Sequence, residues 1–280
     1  MFTRVFISRA RFARVGIRAF IGCLLAGLTA GRAAYADSSS EIAKQAQNPI
    51  ASMISIPFQN NATFGVGEHS DVADLLEIEP VIPVTLNPDW NLISRTIVPI
   101  IEQPALGPGV GSVSGLGDIQ PSFYFSPARP THGVIWGLGP SFSLPTASDR
   151  SLGTGKDSAG LSGAALTIHG PWLVGVLITD VASVGGREDR KNVHQFLVEP
   201  FVDYNFSHGW YLASSPIVTA DWKASSGNKW TVPMGGGGGK ILRIGKQAVN
   251  AYVQAFDNVV RPHDAGNWTL RLQIQLLFPR

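Results

Sequence analysis

Cysteine is nearly missing from this sequence, since Cys23 is the only one among 280 residues. Its scarcity excludes an internal disulfide framework and a site built from several thiolates. Charge is also sparse, because Asp, Glu, Lys and Arg make up 15% of the chain, against about 25% in ordinary soluble domains. The chain therefore has few charged side chains with which to cover a water-facing surface.

Acidic residues are missing from the first 36 positions, where six arginines precede Asp37. A largely apolar stretch at 19–30 and the small-x-small motif Ala34-Tyr35-Ala36 complete the pattern of a cleaved secretory signal. The stretch is shorter than the roughly 20 residues that a membrane-spanning helix needs. We therefore predict a signal peptide over residues 1–36 rather than an anchor, and Cys23 is lost with it.

The charge of the remaining chain argues against a nucleic-acid partner. Removing the six arginines from the 22 basic residues leaves 16, against 20 acidic residues. A chain with a net negative charge lacks the basic surface that binds phosphate backbones.

Helical periodicity is missing as well, because after the short polar segment 37–48 no stretch repeats apolar residues at helical spacing for three turns. Apolar and polar residues alternate instead, which is typical of strands with two different faces. In residues 195–206, aromatic and aliphatic side chains occupy even positions, whereas Glu199 and Asp203 occupy odd ones. Twelve segments of this kind can be counted within residues 49–280.

The connections between these segments alternate in length, with five short turns and six longer linkers. That is the number expected for twelve up-and-down strands whose two chain ends lie on one side. An even strand number with short turns at one end and long loops at the other is typical of outer-membrane β-barrels. The predicted fold class is therefore all-β: a transmembrane, up-and-down antiparallel β-barrel of about twelve strands, of the outer-membrane type, over residues 49–280.

A soluble β-sandwich would alternate in the same way, but its outer face would carry many Lys, Glu and Arg residues. Here the polar face is mostly Ser, Thr, Asn, Gln and Gly. The tryptophans also favour a membrane, because they lie next to predicted strand ends, where aromatic girdles mark the two interfaces. The predicted girdle consists of Trp90, Trp136, Trp172, Trp210, Trp222, Trp230 and Trp268.

Prolines fit a closed barrel poorly, because each lacks the N–H that a ladder hydrogen bond needs. Bulges or local bends are expected to absorb the missing hydrogen bonds. The prolines inside predicted strands are Pro57, Pro80, Pro83, Pro99, Pro121, Pro140, Pro200, Pro216 and Pro233.

Residues 43–61, 229–262 and 267–280 resemble a bacterial outer-membrane family that is named for the meta-pathway of phenol degradation and labelled as transporters. The resemblance spans nearly the whole mature chain, including its prolines. It implies an outer-membrane barrel that passes small molecules, aromatic compounds among them. It brings no catalytic residues and no cofactor. The expected partners are outer-membrane lipids, the barrel assembly machinery and a small-molecule permeant.

Strand parity places a set of charged residues on the inner face of the predicted barrel. Such charges either pair across strands and plug the interior, or line an aqueous path and select permeants. Arg95 lies diagonally opposite Glu79 in a predicted hairpin, so these two form the first candidate ion pair. The full set of lumen candidates is Glu77, Glu79, Arg95, Asp118, Glu199, Asp203, Asp221, Arg243 and Arg271.

Motifs for catalysis or metal binding are not found. The sequence has no G-x-S-x-G elbow and no HExxH, and the run Gly235 to Gly239 before Lys240 lacks the spacing of a phosphate loop. We therefore predict a non-enzymatic channel or transporter for small molecules, with a narrow polar lumen and no cofactor or metal. Two alternatives stay open: a non-conducting structural or adhesin-type barrel, and a lipid-modifying enzyme using His169 or His194.

Overall fold

The computed structural model describes residues 36–105, 111–263 and 265–279. The secretory signal predicted over residues 1–36 lies outside this part, apart from Ala36, and stays a prediction. Among the described helices, none combines the length and the hydrophobicity that crossing a membrane requires.

One α-helix, two three-residue 3-10 helices (Ser207–Gly209 and Ser226–Asn228) and fifteen strands make up the described fold. The α-helix is α1 (Ala36–Gln47). The strands are β1 (Ile54–Val66), β2 (Asp71–Ile78), β3 (Val81–Thr85), β4 (Trp90–Gln103), β5 (Val113–Leu116), β6 (Gln120–Pro127), β7 (Val134–Ser143), β8 (Ser158–His169), β9 (Trp172–Ser183), β10 (His194–Asn205), β11 (Trp210–Ser214), β12 (Val218–Asp221), β13 (Trp230–Ile244), β14 (Gln247–Val260) and β15 (Trp268–Phe278).

The strands form one closed antiparallel barrel. β1 pairs with β2 on one side and with β15 on the other, and the β9–β10 pairing completes the ring. Three walls of the barrel are each made of two collinear pieces, β2 with β3, β5 with β6, and β11 with β12. The ring therefore has twelve walls, which confirms the all-β barrel of about twelve strands predicted from the alternation.

Burial is reversed relative to a water-soluble protein, in which buried side chains are mostly apolar. In β15, Arg271, Gln273 and Gln275 are 4%, 7% and 5% exposed. In β14, Gln254 is 2% exposed, whereas its neighbour Val253 is 41% exposed. In these two strands the polar parity thus faces the barrel interior and the apolar parity faces outward.

The connections follow the predicted alternation, with one correction. Residues 60–74 look like a long linker because they contain Asn, Gly and Asp, but β1 and β2 take up most of them, and the loop is only 67–70. Asn60 and Asn61 belong to the ladder: Asn60 donates a hydrogen bond to Asp74 (2.7 Å), and Asn61 is 8% exposed. A strand that is rich in polar residues therefore looks like a loop in the sequence.

Three of the predicted strand prolines lie at breaks or shifts in the ladder, whereas Pro83 and Pro140 lie within pairings of unbroken register. Pro80 separates β2 from β3, Pro216 separates β11 from β12, and the register shifts at Pro233. Across the first break, the Glu79 N–H donates to the Pro57 carbonyl (2.9 Å), and the Thr96 N–H donates to the Pro80 carbonyl (3.2 Å). The wall is therefore bent but still hydrogen-bonded.

Helix α1 packs inside the barrel at the end that carries the short turns. It contacts β10, β13 and the turn at 207–209. Ala43 is fully buried, in a cluster with Met53, Tyr211 and Ile241. Gln47 and Asn205 exchange two amide hydrogen bonds of 3.0 Å. The sequence did not predict this helix, because the segment is mostly polar and shows no continuous apolar repeat at helical spacing.

Candidate functional site in the barrel interior

An ion pair spans the break in the second wall. Arg95 of β4 donates to a carboxylate oxygen of Glu79 at 2.5 Å. The Arg95 and Glu79 side chains are 17% and 7% exposed, so the pair is largely withdrawn from solvent. This confirms the diagonal pair predicted from the hairpin, because the short turn at 86–89 fixes the register of β3 against β4.

A second group of charges lies where the first and last strands meet. Glu77 accepts hydrogen bonds from Gln59 (3.1 Å) and Asn61 (2.9 Å). Arg271 donates to the Asn61 side-chain oxygen at 2.9 Å and to the Ser215 carbonyl at 2.8 Å. Asn61 thereby links an anion to a cation across three walls, and the interior charges on this side are fully partnered.

Two tyrosines extend this network towards α1. Tyr252 donates to Gln273 or Gln59, whose side-chain oxygens lie 2.8 and 2.9 Å from its hydroxyl. Tyr211 donates to Asn250 at 2.6 Å. Gly239 leaves the room that the Tyr211 ring occupies, since a Cβ there would collide with it. The glycine run is thus a closely packed part of β13.

A cavity of about 120 Å³ lies between this polar wall, the ion pair and helix α1. Glu199 and Asp203 of β10 also line it, and Asp203 is 5% exposed. Among the contacts of the described residues, neither carboxylate accepts a hydrogen bond or forms an ion pair. These two acids differ in this respect from Glu77 and Glu79, which have partners.

The interior is not polar throughout. A buried apolar cluster includes Ile93, Tyr124, Leu173, Leu177 and Phe201. It lies on the β4, β6, β9 and β10 side of the barrel, and Phe201 reaches the cavity between Glu199 and Asp203. This apolar lining was not predicted from the sequence, because strict alternation assigns only polar residues to the inner face.

Four of the nine predicted lumen residues line this cavity, Glu77 and Arg271 lie beside it, and the other three lie away from it. Asp118 lies between β5 and β6 and accepts hydrogen bonds from Thr154 (2.6 and 2.8 Å) and from the Ala147 N–H (3.2 Å), so it holds the 144–157 loop. Asp221 and Arg243 are exposed at strand ends. Parity gives the face on which a residue lies, but it does not give its height in the barrel.

Arg190 fastens the long loops to each other. Its guanidinium donates to the carbonyls of Arg150 (2.8 Å), Gly153 and Thr154 (2.8 Å). Asp189 pairs beside it with Arg150 and Arg187, and hydrogen bonds from these arginines lower its pKa to about 2. The two loops 144–157 and 184–193 are therefore held to each other by hydrogen bonds and an ion pair.

We expect Arg190→Met to raise the rate at which proteinase K cleaves residues 144–157 in folded protein, because three carbonyl contacts are lost together. Arg187→Met is the matched control, since within the described residues its side-chain hydrogen bonds all go to Asp189, and it should change the rate little. Equal protection of both variants would contradict the role given to Arg190.

The same assay has an expected pH dependence. The pKa of Asp189 is lowered from 3.8 to about 2, so its ion pairs are fully present above pH 3.8 and are lost as the pH falls through about 2. Loop protection, measured with pepsin, should therefore persist at pH 3. A loss of protection already at pH 4 would contradict this assignment.

The seven tryptophans lie at or near strand ends. Trp90, Trp136, Trp172 and Trp210 belong to the short-turn end, and Trp222, Trp230 and Trp268 to the long-loop end. Five of them are 37–47% exposed. Neighbouring rings contact each other at both ends, as in the edge-on pairs Trp90–Trp136 (6.0 Å between centroids) and Trp222–Trp230 (5.4 Å).

The outward wall also carries a histidine–carboxylate pair. The Nε2 atom of His194 lies 2.7 Å from an Asp180 oxygen, and both side chains are partly exposed. Within the described residues, the hydrogen bonds of His194 include no serine or threonine hydroxyl. A histidine and an acid without a nucleophile are an incomplete hydrolase site.

Comparison with known proteins supports the fold alone. No protein-family model matches the chain, and no curated protein matches it. The fold is similar to that of an outer membrane channel from Pseudomonas putida F1, with a TM-score of 0.62, 14% identity, and coverage of 89% of this chain and 100% of that one.

Weaker similarities are to the outer membrane phospholipase A of Escherichia coli (TM-score 0.44, 15% identity, 86% and 98% covered) and to a porin (0.40, 12%, 78% and 72%). The fold is that of outer-membrane β-barrels. Membership of the family named for phenol degradation stays a prediction.

Proposed function

We propose that the protein is an outer-membrane channel or transporter, which passes small molecules through the narrow interior of its barrel. The observation that carries this proposal is the reversed burial: Gln254 and Arg271 are enclosed, whereas Val253 and Leu161 are 41% and 60% exposed. Apolar side chains on the outer surface are favourable in the hydrocarbon of a membrane and unfavourable in water. A closed ring has no free edge strand, so every wall can satisfy its backbone in lipid.

The two sets of tryptophans support a placement across the outer membrane. Their indole rings would lie at the two interfaces, with the short turns on the periplasmic side and the long loops outside. The partners in this proposal are outer-membrane lipids and the machinery that assembles barrels there.

The interior supports small permeants with both polar and apolar parts. The cavity lining offers the amides of Gln59, Gln254 and Gln273, and also the apolar side chains of Val81 and Phe201. Aromatic or other partly hydrophobic compounds fit such a mixed lining better than large sugars, because the open cavity is only about 120 Å³. Transport of larger solutes would require α1 or the loops to move.

Planar bilayers containing the refolded mature protein provide the test. We expect discrete conductance steps of small size, because helix α1 and the tyrosine network narrow the path. The filled interior is also the feature that favours the alternative, a non-conducting structural barrel. A folded, inserted protein without any conductance or solute uptake in proteoliposomes would establish that alternative.

We expect no release of fatty acids when the protein is incubated with phospholipid vesicles, because the His194–Asp180 pair lacks a nucleophile. Mass spectrometry of the lipids measures this directly. The control is His194→Ala: release by the wild type that disappears in this variant would contradict the channel assignment and identify an enzyme.

A further inference from the structure

We infer that Asp203, together with Glu199, forms a binding site for the ammonium group of a small organic cation inside the barrel. The inference rests on the proposed access of small solutes to the interior, and it specifies their charge. Its first support is the state of Asp203, which is 5% exposed, lines the cavity and has no hydrogen-bond or ion-pair partner among the described residues. A buried carboxylate without a partner is costly, and a bound cation would offset that cost.

The charge of the cavity points in the same direction. Three carboxylates line it, Glu79, Glu199 and Asp203, against one guanidinium, Arg95. Arg95 is already engaged by Glu79 at 2.5 Å. When all four groups are ionised, the lining therefore carries two negative charges. The nearby Glu77 and Arg271 are of opposite sign and are both hydrogen-bonded to Asn61, and Arg271 also attracts Glu199 electrostatically.

Helix α1 adds a further negative contribution. Its last residues, Ala46 and Gln47, line the cavity, followed by Asn48 and Pro49. The C-terminal end of a helix carries a partial negative charge, equivalent to roughly half an elementary charge. The C-terminal end of α1 and the acids of β10 therefore both favour a cation in the cavity.

The remaining lining fits an organic cation better than a metal ion. Phe201 lies between the two acids on the inner face of β10, and Tyr211 and Tyr252 also line the cavity. Aromatic rings attract ammonium groups and also contact their carbon atoms. Among the described residues, no cluster of three or more His, Cys, Asp or Glu side chains is arranged to hold a metal. The size of the cavity suits a short aliphatic amine.

Saturation-transfer NMR tests this inference by measuring how propylammonium binds to the folded protein in detergent. Propan-1-ol is the neutral probe of similar shape, and potassium chloride is the inorganic cation. We expect propylammonium to bind at least about tenfold more tightly than propan-1-ol. Hydrogen bonds to charged groups are stronger than neutral ones by a free energy that corresponds to roughly tenfold in affinity. Potassium at the same concentration should not displace it.

Asp203→Asn should weaken propylammonium binding about tenfold or more, and Glu199→Gln should weaken it severalfold. Asp221→Asn removes an exposed acid at the end of β12, outside the cavity, and should leave binding unchanged. Folding is checked by the heat-dependent shift of the barrel on gels. If Asp203→Asn does not fold, Glu199→Gln alone decides.

Equal binding of the alcohol, wild-type binding by every folded cavity variant, or displacement by equimolar potassium would each overturn the inference. The proposed channel function is tested by a different result from the proposed binding site. Propylammonium binding that depends on Asp203, in a protein without conductance, would keep the site and remove the channel.

Discussion

Removal of residues 37–48 is expected to raise the single-channel conductance severalfold. These residues form most of α1, which lies across the short-turn end of the interior, where Ala43 is fully buried and Gln47 is hydrogen-bonded to Asn205 at 3.0 Å. Since the following strand β1 is left intact, the ring itself should still close. The measurement is the step size in planar bilayers at fixed salt.

Glu41→Gln is the matched control for the deletion, because the Glu41 side chain is 67% exposed, and it should conduct like the wild type. Gln47→Ala should give a smaller rise or more frequent openings, since it breaks only the link to Asn205. An unchanged step size after the deletion would place the constriction in the tyrosine network instead.

The second large effect concerns the ion pair at the wall break. Arg95→Met is expected to lower the free energy of unfolding by about 3–5 kcal/mol, because it leaves the Glu79 carboxylate enclosed without its partner. The double variant Glu79→Gln with Arg95→Met should recover most of that loss. Denaturant titration in lipid vesicles, followed by tryptophan fluorescence, measures both.

The ion pair also has an expected effect on selectivity, since Arg95 and Glu79 line the cavity. Arg95→Gln should shift the reversal potential towards cations, and Glu79→Gln should shift it towards anions. Arg129→Gln, at an exposed turn between β6 and β7, is the control. Unchanged selectivity in both cavity variants, in a conducting protein, would mean that ions bypass the pair.

The alternation of residues was sufficient to predict the barrel, because a strand between lipid and an enclosed interior must change polarity at every residue. The same pattern predicted the Glu79–Arg95 pair, because one short turn fixes its register. It could not predict the link from Glu77 through Asn61 to Arg271. That link depends on the pairing of β1 with β15, which are far apart in the chain and whose register no turn determines.

Helix α1 and the apolar lining were missed for a related reason. An enclosed helix that packs against both Asn205 and Ile241 needs no continuous apolar stripe, so the periodicity that reveals surface helices is weak. Phe201 and Leu177 look lipid-facing by composition, although their parity places them inside. The contacts of α1 and of the apolar side chains in the interior determine the shape of the cavity. These contacts are visible only in the three-dimensional structure.

The seam between β1 and β15 has a consequence for biogenesis. Its paired residues run from Ile54 with Phe278 to Phe64 with Trp268, so the first wall has no final neighbour until translocation has delivered the last one. Until then, each half-built sheet exposes two unsatisfied rims. Because α1 directly precedes β1, its residues are already present when the last wall arrives. Until that moment, the open rims have to be kept from pairing with other chains.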